Sequence, residues 1–346
     1  MLLKRWRPVA WHDCVGLLFV LTALLLAGCS SIGIGTETAY VVSARMTLLS
    51  STAKVSKPVG ELKNGDKVTI VERLEEGGRS WARLRGPGGQ NGWADARFLV
   101  SEDVVENLRK LADQAKDIPA QALAESKAYL KLRLSPDRAS DDNAVTRLAP
   151  GTVFEIIERE RKPRPASLEN KSSTTDDNED KDTEQKFDDW YKVRVRDNQV
   201  LPAGWVYGGS LQFNIPDEIS SYASAGYRIV GWQKIGTVTD DAGRSGGAYL
   251  VFEKEIFPDD KDRSGKEDFD RIKVNSWDPA RRDYTTPVRE NIRGRLPVIL
   301  KMEGNRGRFE LRELDGSDNL QTREGTIELA RDGRVTVTGL KNGKKK

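Results

Sequence analysis

Two stretches of this chain, 86 positions apart, carry the same pattern of leucine, glycine and β-branched residues. That repetition restricts the chain to folds that build one small module twice. Leu62-Lys-Asn-Gly65-Asp-Lys-Val-Thr-Ile70 corresponds to Leu148-Ala-Pro-Gly151-Thr-Val-Phe-Glu-Ile156, and at the same offset Met46-Thr-Leu48 falls on Leu132-Arg-Leu134 and Val59 on Val145. Further on, Trp81-Ala-Arg-Leu-Arg85 parallels Trp190-Tyr-Lys-Val-Arg194. Gly92-Trp93-Ala94 with Leu99 parallels Gly204-Trp205-Val206 with Leu211. Short apolar alternations between glycine turns read as five strands per copy, the pattern of a small barrel.

The copies differ by an insertion. Gly65 and Trp81 are 16 positions apart, whereas Gly151 and Trp190 are 39 apart, and Glu169 to Lys186 contains no apolar residue. Such a segment has no surface to bury against its ordering entropy, so a disordered insertion is expected at about 161–188. Between the copies, Ser101 stands where a helix cap would, followed by Glu102 and Asp103. Val104, Val105, Leu108, Leu111, Ala112 and Ala115 then follow at helical spacing until Ile118-Pro119. This predicts a linker helix over 101–119, packed against one barrel.

The order of features, closing on Gly-Trp, resembles the bacterial Src-homology-3 domain, over 40–100 and again over 126–213. The leading strands depart from that family's Asn-Val-Arg-Ser-Gly-Pro run: the first has Thr47-Leu-Leu-Ser-Ser51, and the second keeps Arg133-Leu-Ser-Pro136. The resemblance implies envelope or wall-associated function, with peptidoglycan or an envelope protein as partner. Strand alternation places Trp190, Lys192 and Arg194 on one face and Tyr191, Val193 and Val195 on the other. Taking the aliphatic face as core predicts an outward ligand surface of Trp81, Arg83 and Trp93 in the first copy. In the second copy it predicts Trp190, Lys192, Trp205 and Tyr207. Indole faces beside cations suit sugar rings, proline-rich peptides or acidic polymers.

The start of the chain supplies a location. Leu26-Ala27-Gly28-Cys29 resembles the cleavage signal of bacterial lipoproteins. It ends the apolar run Val15 to Ala27, which follows Lys4, Arg5 and Arg7. A stretch of 13 residues is short of the roughly 20 that a spanning helix needs, and His12 and Asp13 block extension backwards. A bare signal anchor has no need of cysteine at that site. The resemblance implies a signal peptide over 1–28, acylation of Cys29, a tether over 29–39 and membrane attachment through the acyl chains. Ser30 after the cysteine resembles sorting to the outer membrane, facing the periplasm.

Cleavage there leaves 318 residues with a net charge of about +1, against +3 for the whole chain, so no basic imbalance points to nucleic acid. His12 and Cys14 depart with the signal. The processed chain then has no imidazole and no free thiol, which excludes Ser-His-Asp and Cys-His catalysis and histidine or cysteine sites for zinc or haem.

From 227 to 341 the chain reads as eight strands in an antiparallel meander, forming a barrel or sandwich. Leu296–Met302 is its fifth strand, and Tyr284–Arg289 its fourth. Asp260, Asp262, Ser264, Gly265 and Asp268 imitate half a calcium loop, but Arg271 stands where glutamate is required, so a polar hairpin loop without metal is expected. The expected architecture is therefore all-β: two Src-homology-3-like barrels joined by a short helix, then an antiparallel β domain. The expected function is that of a non-catalytic envelope lipoprotein, with no cofactor. One alternative is a polysaccharide hydrolase working with carboxylates such as Asp268, Asp270, Glu253 and Glu255; another is an envelope assembly scaffold.

Overall fold

The computed structural model describes residues 37–165, 187–256 and 266–340. Cys29, the signal segment, most of the insertion and the loop from Asp260 to Gly265 lie outside the described residues. The protein is all-β, with three seven-stranded antiparallel sheets. The first contains β1 (Glu37–Val41), β2 (Arg45–Leu49), β3 (Pro58–Lys63), β4 (Lys67–Glu76), β5 (Arg79–Arg85), β6 (Asn91–Asp95) and β7 (Leu99–Ser101). Helix α1 (Glu102–Ala115) leads to β8 (Ala122–Ser126), β9 (Leu130–Arg133), β10 (Ala144–Leu148), β11 (Val153–Pro163), β12 (Phe187–Val195), β13 (Ala203–Tyr207) and β14 (Leu211–Phe213).

The strand orders β3-β2-β6-β5-β4-β1-β7 and β10-β9-β13-β12-β11-β8-β14 are the same permutation. Even the irregularities repeat: the ladder slips between Ile70 and Glu72 in one barrel and between Ile156 and Glu158 in the other. Gly65 and Gly151 hold the matched turns at φ of 92° and 78°, a region that side chains disfavour. The glycines before Trp93 and Trp205 have a different cause. A Cβ on Gly92 would lie 2.9 Å from Leu48, and one on Gly204 would lie 2.6 Å from Leu132, because each closing strand crosses its leading strand there. The leading strands are offset by 84 positions, not 86: Met46 pairs with Leu62, and Leu130 with Leu148. An even slip keeps the same residues inward, which is why the sequence pattern conceals it.

Three further expectations are corrected. Residues 37–39, expected in the tether, belong to β1, with Ala39 buried against Val68. Each module holds seven strands, because the short β1 and β7, and likewise β8 and β14, complete the sheets. The helix α1 packs on both barrels rather than one. Val105 and Leu108 are fully buried in a cluster that also holds Val100 of the first barrel and Val206 of the second. Ser101 makes no side-chain cap. Instead the Arg194 guanidinium, expected on the ligand face, donates to the Ala115 and Ile118 carbonyls at 2.8 and 2.9 Å, satisfying acceptors at the helix's C-terminal end.

The third sheet follows α2 (Asp217–Ser220) and runs in simple sequence order: β15 (Tyr227–Thr239), β16 (Ser245–Glu255), β17 (Phe269–Asp278), β18 (Asp283–Glu303), β19 (Arg306–Leu314), β20 (Leu320–Leu329) and β21 (Val335–Val337). The expected fourth and fifth strands are one long strand, β18, whose first half pairs with β17 and second half with β19. One face of the meander encloses its own core, including Leu250, Phe252, Phe269, Val274 and Phe309. From the other face Trp232, Tyr249 and Val251 join the core of the second barrel.

The junction is polar where it meets backbone. The β18–β19 ladder breaks between Arg295 and Ile299. There the fully buried Gln121 side chain donates to the Val298 carbonyl at 2.9 Å and accepts from the Val298 N–H at 2.8 Å. A side-chain amide thus supplies the bonds that a neighbouring strand would make.

Near α2, the Tyr249 hydroxyl donates to Glu218, which also accepts from the Gly247 N–H. The tyrosine bond holds the Glu218 carboxyl below the ordinary glutamate value. Its contribution is therefore complete above the unfolded glutamate range, near pH 4.5, and is lost as pH falls through the lowered folded value. Melting temperatures at pH 6 and pH 3 should differ less in Tyr249→Phe than in the parent; an equal difference would remove this role from Glu218.

Candidate functional site

The first barrel carries an open groove of about 600 Å³. Its walls are the loop after β2, with Thr52 and Lys54, and the β4–β5 hairpin, with Glu76 and Arg79; Leu49 and Trp81 also line it. The hairpin turns through Gly77 and Gly78, both at positive φ, which lets it stand clear of the barrel. Along β5, Ala82 and Leu84 are fully buried, so Trp81 and Arg83 point outward. Trp93 on β6 sits directly opposite Arg83 and pairs with Leu49 at the groove. The structure thus brings Trp81, Arg83 and Trp93 together on one outward surface. Arg83 lies 3.8 Å from Glu72, whereas Lys54 and Arg79 make no ion pair among the described residues. Lys54 and Arg79 beside the part-buried indole of Trp81, with Trp93 next to Arg83, suit a ligand with flat apolar faces and carboxylates.

The second barrel does not present the matching surface. Trp190 is 1% exposed and Trp205 6%, so neither is an outward ligand group as expected. The loop after β9 fills the face. Arg138 stacks over the Tyr207 ring at 4.4 Å and reaches both oxygens of Asp188, at 2.6 and 2.8 Å. Tyr207 in turn meets Trp190 edge-on at 6.0 Å. The loop is pinned at its root by the buried Arg133, which donates to Asn143 Oδ1 and the Ser140 carbonyl. Lys192 is occupied too, 3.4 Å from Glu158 with its ammonium 5.4 Å from the Trp205 ring. Asp188 falls within the segment expected to be disordered, yet its side chain is buried and also accepts from Arg164 at 3.1 Å. Residues 161–163 and 187–188 belong to β11 and β12, paired through Arg161↔Asp189 and Lys162↔Asp188.

Three of the four carboxylates considered for acid–base chemistry, Glu253, Asp268 and Asp270, are held by the fold, and Glu255 is exposed. Glu253 and Lys273, both fully buried, pair at 2.6 Å, with Ser224 donating to the carboxylate through N–H and hydroxyl. Asp270 meets Lys254 at 3.2 Å and accepts from the Glu255 N–H. Asp268 is bound by Arg159, Arg295 and the Leu296 N–H; burial pushes its carboxyl up against the pull of the two guanidinium groups. No group of three or more histidine, cysteine, aspartate or glutamate side chains is placed to hold a metal among the described residues. Within the same residues no helix is long and apolar enough to cross a membrane.

The bacterial SH3 domain family matches residues 50–100, a segment that contains Thr52, Lys54, Arg79, Trp81, Arg83 and Trp93. No curated protein matches the chain. Among solved structures, NlpC2 from Trichomonas vaginalis is similar over 52% of this chain, at 11% identity and a TM-score of 0.16. The match spans about half of that structure, 49% of its length.

Proposed function

We propose that this chain is a non-catalytic envelope lipoprotein, held on the periplasmic side of the outer membrane by acylated Cys29. Its first barrel binds peptidoglycan or an envelope protein. The observation that carries this reading is the contrast between the barrels: one groove is open and lined by Trp81, Lys54 and Arg79, while its counterpart is filled by Arg138. The match of the open barrel to the bacterial SH3 domain supports a cell-wall partner. Sugar rings stack on the indoles and stem-peptide carboxylates meet the cations.

Protein starting at Ser30 should co-sediment with purified cell-wall sacculi, and Trp81→Ala should weaken retention at least tenfold, about 1.4 kcal/mol. Unchanged retention by that variant excludes the groove as the binding surface. Attachment has its own test. Each buried methylene contributes about 0.8 kcal/mol, so several acyl chains bind durably where none binds at all. Cys29→Ala should therefore leave the protein unprocessed or soluble, and unaltered processing and membrane fractionation would rule out acylation at that residue.

A further inference from the structure

A second groove, of about 630 Å³, runs between the barrels. Val42 and Phe98 of the first barrel form one wall, and the four consecutive residues Ala144 to Arg147 of β10 form the other. The β9–β10 ladder shifts register between Ala144 and Thr146, so strict alternation breaks there and consecutive residues of β10 reach the groove beside Tyr129 and Lys131. The outer edge of β10 has no strand neighbour among the described residues: β10 is the last strand of its sheet there and pairs with β9. Its counterpart in the first barrel, β3, is blunted by Pro58 at its start, whereas β10 contains no proline. Two aromatic side chains stand exposed along the groove, Tyr129 at 72% and Phe98 at 44%.

The charge around this edge leaves one cation over. Arg97, Lys131 and Arg147 line the groove against a single acid, Asp141. Arg97 is paired with Asp95 and Lys131 with Asp141, while Arg147 is exposed and makes no ion pair among the described residues. A strand edge without a neighbour, exposed aromatic rings and one unpaired arginine together specify one kind of occupant. We propose that this groove binds an extended acidic peptide of a protein partner, added as a strand to β10. One apolar side chain sets against Phe98 and Tyr129, and a carboxylate faces Arg147. The site is separate from the first-barrel groove and does not depend on how that groove is read.

The test uses the full-length chain in detergent micelles and a displayed library of random twelve-residue peptides. Selected peptides should alternate acidic residues with β-branched or aromatic ones, and should lose binding at least tenfold to a Tyr129→Ala, Arg147→Glu double variant of unchanged melting temperature. Methylating every second backbone amide of one selected peptide should abolish binding in one register and leave it within twofold in the other, the signature of strand addition. The proposal is overturned if no peptide is enriched over bare support, if enriched peptides bind the double variant equally, or if both methylation registers behave alike. Because Tyr129 and Arg147 lie outside the first groove, the double variant should still sediment with sacculi. That result separates failure here from failure of the peptidoglycan reading.

Discussion

Trp190→Ala is expected to destabilise the second barrel by about 3–5 kcal/mol, the usual cost of emptying a tryptophan-sized site in a packed interior. Trp81→Ala, the matched change in the first barrel, is expected to cost about 1 kcal/mol or less, as for a partly exposed surface residue. The asymmetry follows from burial. Trp190 is fully enclosed, with Tyr207 against its edge and Arg138 over Tyr207, whereas Trp81 forms part of an open groove. Urea titrations of both variants, followed by near-ultraviolet circular dichroism, measure the two costs. Equal losses would mean that the two faces are built alike, contrary to the filled and open grooves. Arg138→Ala should reproduce part of the Trp190 effect, because it removes the stacking on Tyr207 and leaves the buried Asp188 with Arg164 as its remaining cation.

That contrast also marks where sequence reasoning stops. Alternation correctly separates Trp81 and Arg83 from Ala82 and Leu84, because period two is a property of the strand itself. The same alternation puts Trp190 and Trp205 on the corresponding face of the second barrel but says nothing about what covers that face. The cover comes from Arg138, whose partner Asp188 is fifty positions away at the end of a segment that reads as a disordered insertion. The repeat was legible because Gly65, Gly92, Gly151 and Gly204 answer to backbone conformation or close approach, constraints that few residue types satisfy. The docking of the third sheet on the second barrel was not legible. It rests on Gln121 meeting Val298, 177 positions on, and a lone glutamine carries no sign of its partner. From sequence the long β18 reads as two strands because the stretch Glu290 to Arg295, where its pairing passes from β17 to β19, is mostly polar.

The same junction carries the second large effect. Arg159→Met is expected to cost about 3–5 kcal/mol, because it leaves Asp268 buried with much of its compensation removed. Arg159 is 6% exposed and bridges Asp189 at 2.6 Å and Asp268 at 3.1 Å, tying the second barrel to the start of β17. Burial opposes its charge, but Tyr191, Asp189 and Asp268 outweigh that and raise the guanidinium pKa, so this cation stays charged wherever the protein is folded. Replacing both partners should cost less than replacing one. Arg159→Met with Asp268→Leu removes the stranded carboxylate, although Arg295 and the Leu296 N–H then lose an acceptor. Full recovery is therefore not expected. Scanning calorimetry should show one shared transition for second barrel and third sheet in the parent, since their side chains form one continuous core. In Arg159→Met that transition should shift downward and broaden. A double variant no more stable than Arg159→Met would show that the destabilisation comes from lost packing rather than from an unpaired charge. Two separate transitions in the parent would contradict the shared core itself.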